Sequence, residues 1–349
     1  MRDFVVCRAG AVALALCAIL VRAAPTSAQT MADVAALSGP DRMEKIIAGA
    51  KKENTLTLYS SATTEDMGPI VASFETAYGV RVRTWRGSSE DIRQRGITEA
   101  RAGRYDADIF ETAGTELEPM QREGVMQEMK SPTLADLAPQ ALRPHREWVA
   151  SRISAYVAAY NTNLVRKEDA PKNYEDLADV RWKGKLGVEA EDAGWFMTLA
   201  SVMGAEKAEA LFRRIVRTNG ISVRKGHTLL ANLVVSGEVP LALTLYGYKA
   251  GQLEAQGAPL ARLALAPSIA QTTGISLARK APHPHAAALF WEHYLTEGQK
   301  ILVAQHNSPV NMKVKPFPAD LVLLDPARFI DEGDRWQKLF REIFINQSR

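Results

Sequence analysis

Cysteine is nearly absent from the sequence. Its 349 residues include Cys7 and Cys17 alone, and both fall in an apolar stretch near the N terminus. If that stretch is removed as a signal peptide, no thiol remains, which excludes disulfides, cysteine nucleophiles, thiolate metal sites and iron–sulfur clusters. A His-Glu-x-x-His metal motif and a Gly-x-Ser-x-Gly nucleophile elbow are missing as well. The sequence therefore predicts a binding protein rather than an enzyme, and one without a cofactor.

A large net charge and long apolar runs are also missing. The 43 Lys and Arg residues nearly balance the 40 Asp and Glu residues, which leaves a net charge of +3 and no electrostatic footprint for nucleic acid. Beyond the N-terminal stretch, no apolar run approaches the roughly 20 residues that a transmembrane helix requires. We therefore expect no nucleic-acid partner and no membrane span in the mature chain.

Residues 1–28 have the pattern of a secretory signal peptide. Arg2 and Arg8 precede an apolar core at 9–21, and Thr26-Ser27-Ala28 then offers small residues to a signal peptidase. Cleavage before Gln29 would release the mature chain into the periplasm. The alternatives are an uncleaved anchor and a lipidated Cys17, although Leu16 is larger than the residue that usually precedes such a cysteine.

The first part of the mature chain repeats a strand–loop–helix unit. Strand-like patterns at Thr55–Tyr59, Val80–Trp85 and Tyr105–Phe110 each run into a polar loop and then a helical pattern. Such units predict an α/β fold with a parallel sheet whose loops gather along one edge. Helix starts in these loops could hold an anion. The candidate ligand-binding residues here are Ser60, Ser61, Thr63, Arg86, Ser88, Glu111 and Thr112.

A second series of units follows a longer strand pattern at Ile153–Tyr160. It contains strands at Lys185–Val188 and Pro240–Leu245, and the latter ends in Tyr246-Gly247-Tyr248. Ligands of open α/β sheets bind at the carboxyl ends of strands, so these polar rings are candidates for the floor of a site. The candidate ligand-binding residues of this series are Asp192, Trp195, His227, Tyr246 and Tyr248.

Each candidate also has a structural explanation. Hydroxyls such as Ser60, Thr63 and Ser88 can cap helices, and Arg86 can pair with a surface carboxylate. The tyrosines can simply pack, with their hydroxyls hydrogen-bonded to water or the backbone, and His227 can be a helix cap. These alternatives stay open on the sequence alone.

Several motifs, in their order and spacing behind a signal peptide, resemble one family across nearly the whole mature chain. They are Thr55-Leu56-Thr57-Leu58-Tyr59-Ser60, Phe74-Glu75-Thr76-Ala77-Tyr78-Gly79-Val80, Asp106-Ala107-Asp108-Ile109, Trp182-Lys183-Gly184-Lys185, Ser236-Gly237-Glu238-Val239, and Ala281-Pro282-His283-Pro284-His285-Ala286-Ala287 leading to Gly298-Gln299. The chain is similar to the bacterial extracellular solute-binding proteins of ABC importers, and within them to the periplasmic ferric-ion-binding branch.

The resemblance implies a two-lobed, type II periplasmic-binding-protein fold that closes on its ligand at two hinge-crossing strands. These strands would lie near Ile153–Tyr160 and Ala266–Ser276. One lobe would comprise 29–152 and 270–315 and the other 153–269, with 316–349 forming a helical segment on the lobes. The implied protein is a monomer that delivers a small ligand to an inner-membrane ABC permease.

The ferric branch holds its metal with a histidine, a glutamate and two adjacent tyrosines, and this sequence departs from that set. Thr63 replaces the histidine, Ala113 the glutamate, and Gly247 the first tyrosine. If the strand continued through Gly247, Tyr246 would lie on the opposite face from residue 247, so we expect both tyrosines to reach one metal only if the glycine breaks the pleat. We therefore expect a small organic anion or polar metabolite as the ligand. The alternative is ferric iron bound by Tyr248, Tyr246 and Glu111, and an enzyme on the same fold is less favoured.

Overall fold

The computed structural model describes residues 29–318 and 320–346, so the expected signal peptide lies outside the described residues. Among those described, no helix combines the length and the apolar character needed to cross a membrane.

The described chain alternates helices and strands. The helices are α1 Met31–Ala35, α2 Arg42–Glu53, α3 Thr64–Tyr78, α4 Ser89–Arg101, α5 Gly114–Arg122, α6 Ala193–Met203, α7 Ala205–Asn219, α8 His227–Ser236, α9 Gly247–Ala255, α10 Pro284–Leu295, α11 Glu297–Ala304 and α12 Pro326–Phe340. The strands are β1 Thr55–Ser60, β2 Arg81–Arg86, β3 Ile109–Ala113, β4 Met126–Gln127, β5 Trp148–Asn161, β6 Leu186–Glu189, β7 Ser222–Arg224, β8 Leu241–Tyr246, β9 Leu260–Leu263, β10 Ser268–Ala278, β11 Ser308–Pro309 and β12 Leu321–Leu323.

Two long antiparallel strands join the two halves of the sheet. Its main path runs β2-β1-β3-β10-β5-β8-β6-β7, and β5 pairs with β10 near its start and with β8 near its end. We call the half built on the parallel strands β1, β2 and β3 the first lobe, and the half built on the parallel strands β6, β7 and β8 the second lobe. The expected two-lobed α/β fold with two crossing strands is confirmed.

Each lobe has its own apolar core. In the first lobe the cluster includes Leu58, Phe74 and Phe290, which are completely buried between β1, α3 and α10. In the second lobe Trp195 and Phe212 pack edge to face, with ring centroids 5.6 Å apart. Such interiors bury the hydrophobic faces of helices that cover both sides of a parallel sheet, so the loops at the strand ends stay free for binding.

The C-terminal helical segment touches both lobes. Helix α12 contacts α5 of the first lobe and α6 of the second. The π-helical turn after it, Arg341–Ile345, buries Phe344 against Phe196 at a ring-centroid distance of 5.7 Å.

Two local expectations need correction. The third strand begins at Ile109 rather than Tyr105. Just before it, Asp108 bonds to Thr57 through both its backbone N–H and its carboxylate, and the carboxylate also accepts from the His283 backbone N–H. The sequence Thr296-Glu297-Gly298-Gln299 also predicts a capping box at the start of α11. It does not form, since the Thr296 hydroxyl donates back to the Glu292 carbonyl oxygen at 2.8 Å.

Candidate functional site

The two tyrosines at the end of β8 lie side by side. The strand ends at Tyr246 and α9 begins at Gly247, so the pleat does not continue. The rings of Tyr246 and Tyr248 are nearly parallel, at 16° with centroids 5.9 Å apart. A Cβ on Gly247 would lie 3.3 Å from Val157 Cγ1 and 3.4 Å from the Ala155 carbonyl oxygen. Glycine therefore lets this turn approach β5 closely and brings both phenols to one side.

Two carboxylates and an imidazole meet at the strand ends of the second lobe. Glu189 is the last residue of β6, Asp192 precedes α6, and His227 opens α8. One potential ligand atom from each lies within 4.8 Å of the others. His227 Nε2 is 3.3 Å from Asp192 Oδ1, and the two side chains are 13% and 4% exposed.

The electrostatics of this group follow from its burial. Burial raises the pKa of Glu189, and the like charge of Asp192 raises it further. Burial alone would lower the pKa of His227, but the Asp192 and Glu189 carboxylates outweigh that effect and raise it above its ordinary value.

Tyr246 connects this group to the crossing strands. Its ring stacks on His227 with centroids 3.7 Å apart, and its hydroxyl accepts a 2.6 Å hydrogen bond from Gln271 Nε2 on β10. The Tyr156 ring of β5 lies 5.8 Å from it. Burial, then the charge of Asp192, raises the pKa of Tyr246 well above its ordinary value.

A buried ion pair lies at the strand ends of the first lobe. Ser60 Oγ donates to Glu111 Oε2 at 2.6 Å, and Arg152 Nη2 of β5 lies 3.2 Å from Glu111 Oε1. Burial raises the pKa of Tyr248, and the nearby Arg152 guanidinium opposes that shift. The positive charge of Arg152 in this ion pair therefore also acts on Tyr248.

The charge at the start of α6 favours a cation over an anion. Glu189, Glu191 and Asp192 all lie there, and Lys225 is paired with Glu191 at 2.7 Å. Carboxylates at this helix start repel the negative group that a helix N-terminus would otherwise attract. This is the physical reason against the small organic anion expected from the sequence.

Other predicted site residues have structural partners. Thr63 caps α3 by accepting from the Asp66 backbone N–H, and Ser88 forms a capping box with Asp91. Exposed Arg86 donates from Nε to the Ala62 carbonyl oxygen at 3.0 Å.

Three further predicted residues differ in their surroundings. Trp195 is 1% exposed among the core aromatics, which removes it from the cleft. Half-buried Ser61 donates its backbone N–H to the Glu111 carbonyl oxygen. Buried Thr112 lies within β3, and in the part of the chain that the structure describes its Oγ1 has no hydrogen-bond partner.

Sequence reasoning missed Glu189, Arg152, Tyr156 and Gln271. Arg152 and Gln271 carried a usable signal, because each is a polar residue inside an apolar strand and therefore needs a buried partner. Glu189 directly follows the strand predicted at Lys185–Val188, and the end of a strand is where ligands meet such sheets.

Comparisons with known proteins place the chain among transport proteins. A family model described as bacterial extracellular solute-binding protein matches residues 59–301. Iron uptake protein A1 of Synechocystis sp. is 24% identical over 293 residues, 76% of this chain and 80% of that protein. The Fe(3+)-binding periplasmic protein of Serratia marcescens is 21% identical over 202 residues, 57% of this chain and 59% of that protein. The crystal structure of iron-bound HitA from Pseudomonas aeruginosa superposes with a TM-score of 0.71 at 21% identity, covering 83% of this chain and 99% of that one.

Proposed function

This chain belongs to the bacterial extracellular solute-binding protein family, and we propose that it captures ferric iron in the periplasm and delivers it to an ABC permease. The observation that carries the choice of cargo is the side-by-side arrangement of Tyr246 and Tyr248 next to buried carboxylates. Phenolate and carboxylate oxygens are hard ligands, which suit a small, highly charged cation. The relatives named for iron support the same cargo.

Capture would proceed by closure of the two lobes. The tyrosines lie where β8 meets β5, one of the two strands that cross between lobes, so a bound ion sits beside the hinge. Ligand binding shifts the equilibrium towards the closed form only by its differential affinity for that form. Contacts of the ion with both lobes supply that difference, and the permease would then recognise the closed shape.

Both tyrosines must lose their phenol protons before they can bind ferric iron. Burial raises the pKa of both phenols, so each keeps its proton in the ligand-free protein. A ferric ion must displace these protons, because only the phenolate oxygen is a strong ligand. Arg152 assists at Tyr248, since a positive charge favours the phenolate.

The test is a titration of the metal-free mature protein with ferric nitrilotriacetate, followed by visible absorption. We expect a charge-transfer band from tyrosinate to iron, which Tyr248→Phe weakens or abolishes. Tyr105→Phe is the matched control, because Tyr105 packs against Lys280, 4.7 Å from its ring centroid, rather than against the cluster. Absence of the band in the wild type, or an unchanged band in both Tyr246→Phe and Tyr248→Phe, would contradict the proposal.

A further inference from the structure

We propose that Glu189, Asp192 and His227 form a metal site of their own within the second lobe, which binds a first-row divalent transition-metal ion without the tyrosine pair. The inference goes beyond ferric capture and does not depend on it. The ligand set comes from one lobe alone, so the site exists whether the lobes are open or closed.

The geometry is close to that of an occupied site. The three ligand atoms lie within 4.8 Å of one another, and the His227 Nε2 to Asp192 Oδ1 distance is 3.3 Å. Ligands bonded to one ion at about 2.1 Å in a tetrahedral arrangement lie about 3.4 Å apart. The His227 to Asp192 distance is already close to this value, and the widest separation in the group has to shorten by at most roughly 1.4 Å, which is within the reach of side-chain rotation.

Unsatisfied buried atoms give a second and independent indication. Asp192 is 4% exposed, and its Oδ2 has no hydrogen-bond partner in the described protein. His227 Nδ1 is buried and equally without a partner. A buried carboxylate oxygen without a donor is costly, and a bound cation removes that cost.

The hydrogen bonds of Glu189 hold its carboxylate in place and still leave its oxygens able to bind a metal ion. Its Oε1 accepts from the Gly226 backbone N–H at 2.8 Å, and its Oε2 accepts from the Glu191 backbone N–H at 2.6 Å. A carboxylate oxygen has more than one acceptor position, so each oxygen keeps a lone pair. Backbone donors of this kind orient a metal ligand from outside the coordination sphere.

The charge balance also calls for a cation. Two buried carboxylates face one imidazole, while Lys225, the neighbouring basic side chain, is exposed and paired with Glu191 at 2.7 Å. Oxygen ligands with a single imidazole suit manganese, ferrous iron, cobalt or zinc and leave coordination positions open to water.

Cobalt(II) is a suitable probe because its binding is visible by absorption as well as by calorimetry. We expect one ion per metal-free wild-type protein, and an affinity more than about 100-fold weaker in Asp192→Asn and in His227→Gln, since loss of an outer partner already weakens binding by about 10- to 100-fold. Glu191→Gln is the matched control: it removes the same charge from the next residue but no ligand, and should change the affinity less than about threefold. Thermal unfolding of each variant verifies that it is folded.

The outcomes separate this site from the ferric proposal. Cobalt binding that survives Tyr248→Phe but is lost in Asp192→Asn supports the site, even if no ferric band is found. No cobalt binding by the wild type would overturn it, as would equal affinities of wild type and Asp192→Asn, even if the tyrosinate band is present. Equal losses in Asp192→Asn and Glu191→Gln would also overturn it, because general charge rather than ligation would then explain binding.

Discussion

His293 is a buried histidine, and neither of its ring nitrogens has a hydrogen-bond partner among the described residues. It is 2% exposed on α10, with Phe74 and Tyr78 at ring-centroid distances of 5.6 and 5.7 Å. Burial lowers its pKa, because the charged imidazolium is poorly solvated there, and the charge of Glu297 opposes this shift only weakly. The folded protein therefore prefers the neutral ring.

This burial predicts a loss of stability in acid. The unfolded chain takes up a proton at His293 as pH falls through its ordinary pKa of about 6.5, whereas the folded protein does so only at lower pH. The contribution to stability is thus complete above about pH 6.5 and decreases below it by at most about 1.4 kcal/mol per pH unit. We expect His293→Leu to show a shallower decrease in the free energy of unfolding between pH 7 and pH 5, measured by urea denaturation. The free energy of unfolding of each protein is compared with its own value at pH 8. Parallel plots of this free energy against pH for the two proteins would contradict the prediction.

At this scale the sequence predicted the tyrosines but not their arrangement. It placed Tyr246 at a strand end, where the structure has it, yet it could not tell whether the pleat continued through Gly247. That depends on the close approach of residue 247 to Val157 and Ala155 on another strand. The Glu189, Asp192 and His227 cluster has the same origin, since it joins the connection between β6 and α6 to the start of α8, and no local pattern links the two.

At the scale of elements, boundaries were predictable where the local signal was complete. The apolar spacing in residues 284–295 predicts a helix, and α10 runs from Pro284 to Leu295, because Pro284 starts it and an apolar face continues through it. Strand β3 was predicted to begin too early, because Asp106 to Asp108 alternates like a strand, whereas the paired register with β1 starts at Ile109. Asp108 bonds to Thr57 through its carboxylate as well as its backbone, and its carboxylate also accepts from His283. Residues far away in the sequence therefore determine where β3 begins.

The turn after α12 provides a test of how the C-terminal segment holds the second lobe. Phe344 is fully buried, and its ring lies 5.7 Å from Phe196 and 5.6 Å from Phe212 by centroid. We expect Phe344→Ala to lower the free energy of unfolding by about 3–5 kcal/mol, because it opens a cavity among rings that cannot collapse to fill it. Lys338→Ala, at an exposed position of the same segment, should change it by less than about 0.5 kcal/mol. Chemical denaturation measures both, and similar small effects would show that the segment is only loosely attached.

For the whole molecule, the expectation of two crossing strands is confirmed, but their lengths were not predictable from the sequence. The family resemblance placed them correctly, but β5 extends from Trp148 to Asn161 and carries Arg152 into the first lobe. The sequence could not predict this extension, because it is stabilised by pairing with β10 and β11, which lie more than a hundred residues further along the chain.

The lobes also touch through glutamines on the side of α9. Gln252 Nε2 of the second lobe donates to the Gln305 carbonyl oxygen after α11 at 3.1 Å, and Gln305 Nε2 donates to the Asp66 carbonyl oxygen of the first lobe at 2.9 Å. Because the first of these bonds exists only when the lobes are together, it favours the closed form over the open one. A ligand that binds the closed form therefore binds more tightly because of this hydrogen bond, although the ligand does not contact it.

Gln252→Ala should therefore weaken ferric binding without weakening the fold. Loss of one hydrogen bond of about 0.5–1.5 kcal/mol predicts an affinity about 2- to 10-fold lower, through a smaller closed population. Ferric nitrilotriacetate titration measures the affinity, small-angle scattering measures the radius of gyration of the loaded protein, and thermal unfolding should match the wild type. Gln256→Ala, at the exposed end of the same helix, is the control and should behave like the wild type. An unchanged affinity in Gln252→Ala would mean that the open form already makes every contact the ion needs, and that closure adds nothing to capture.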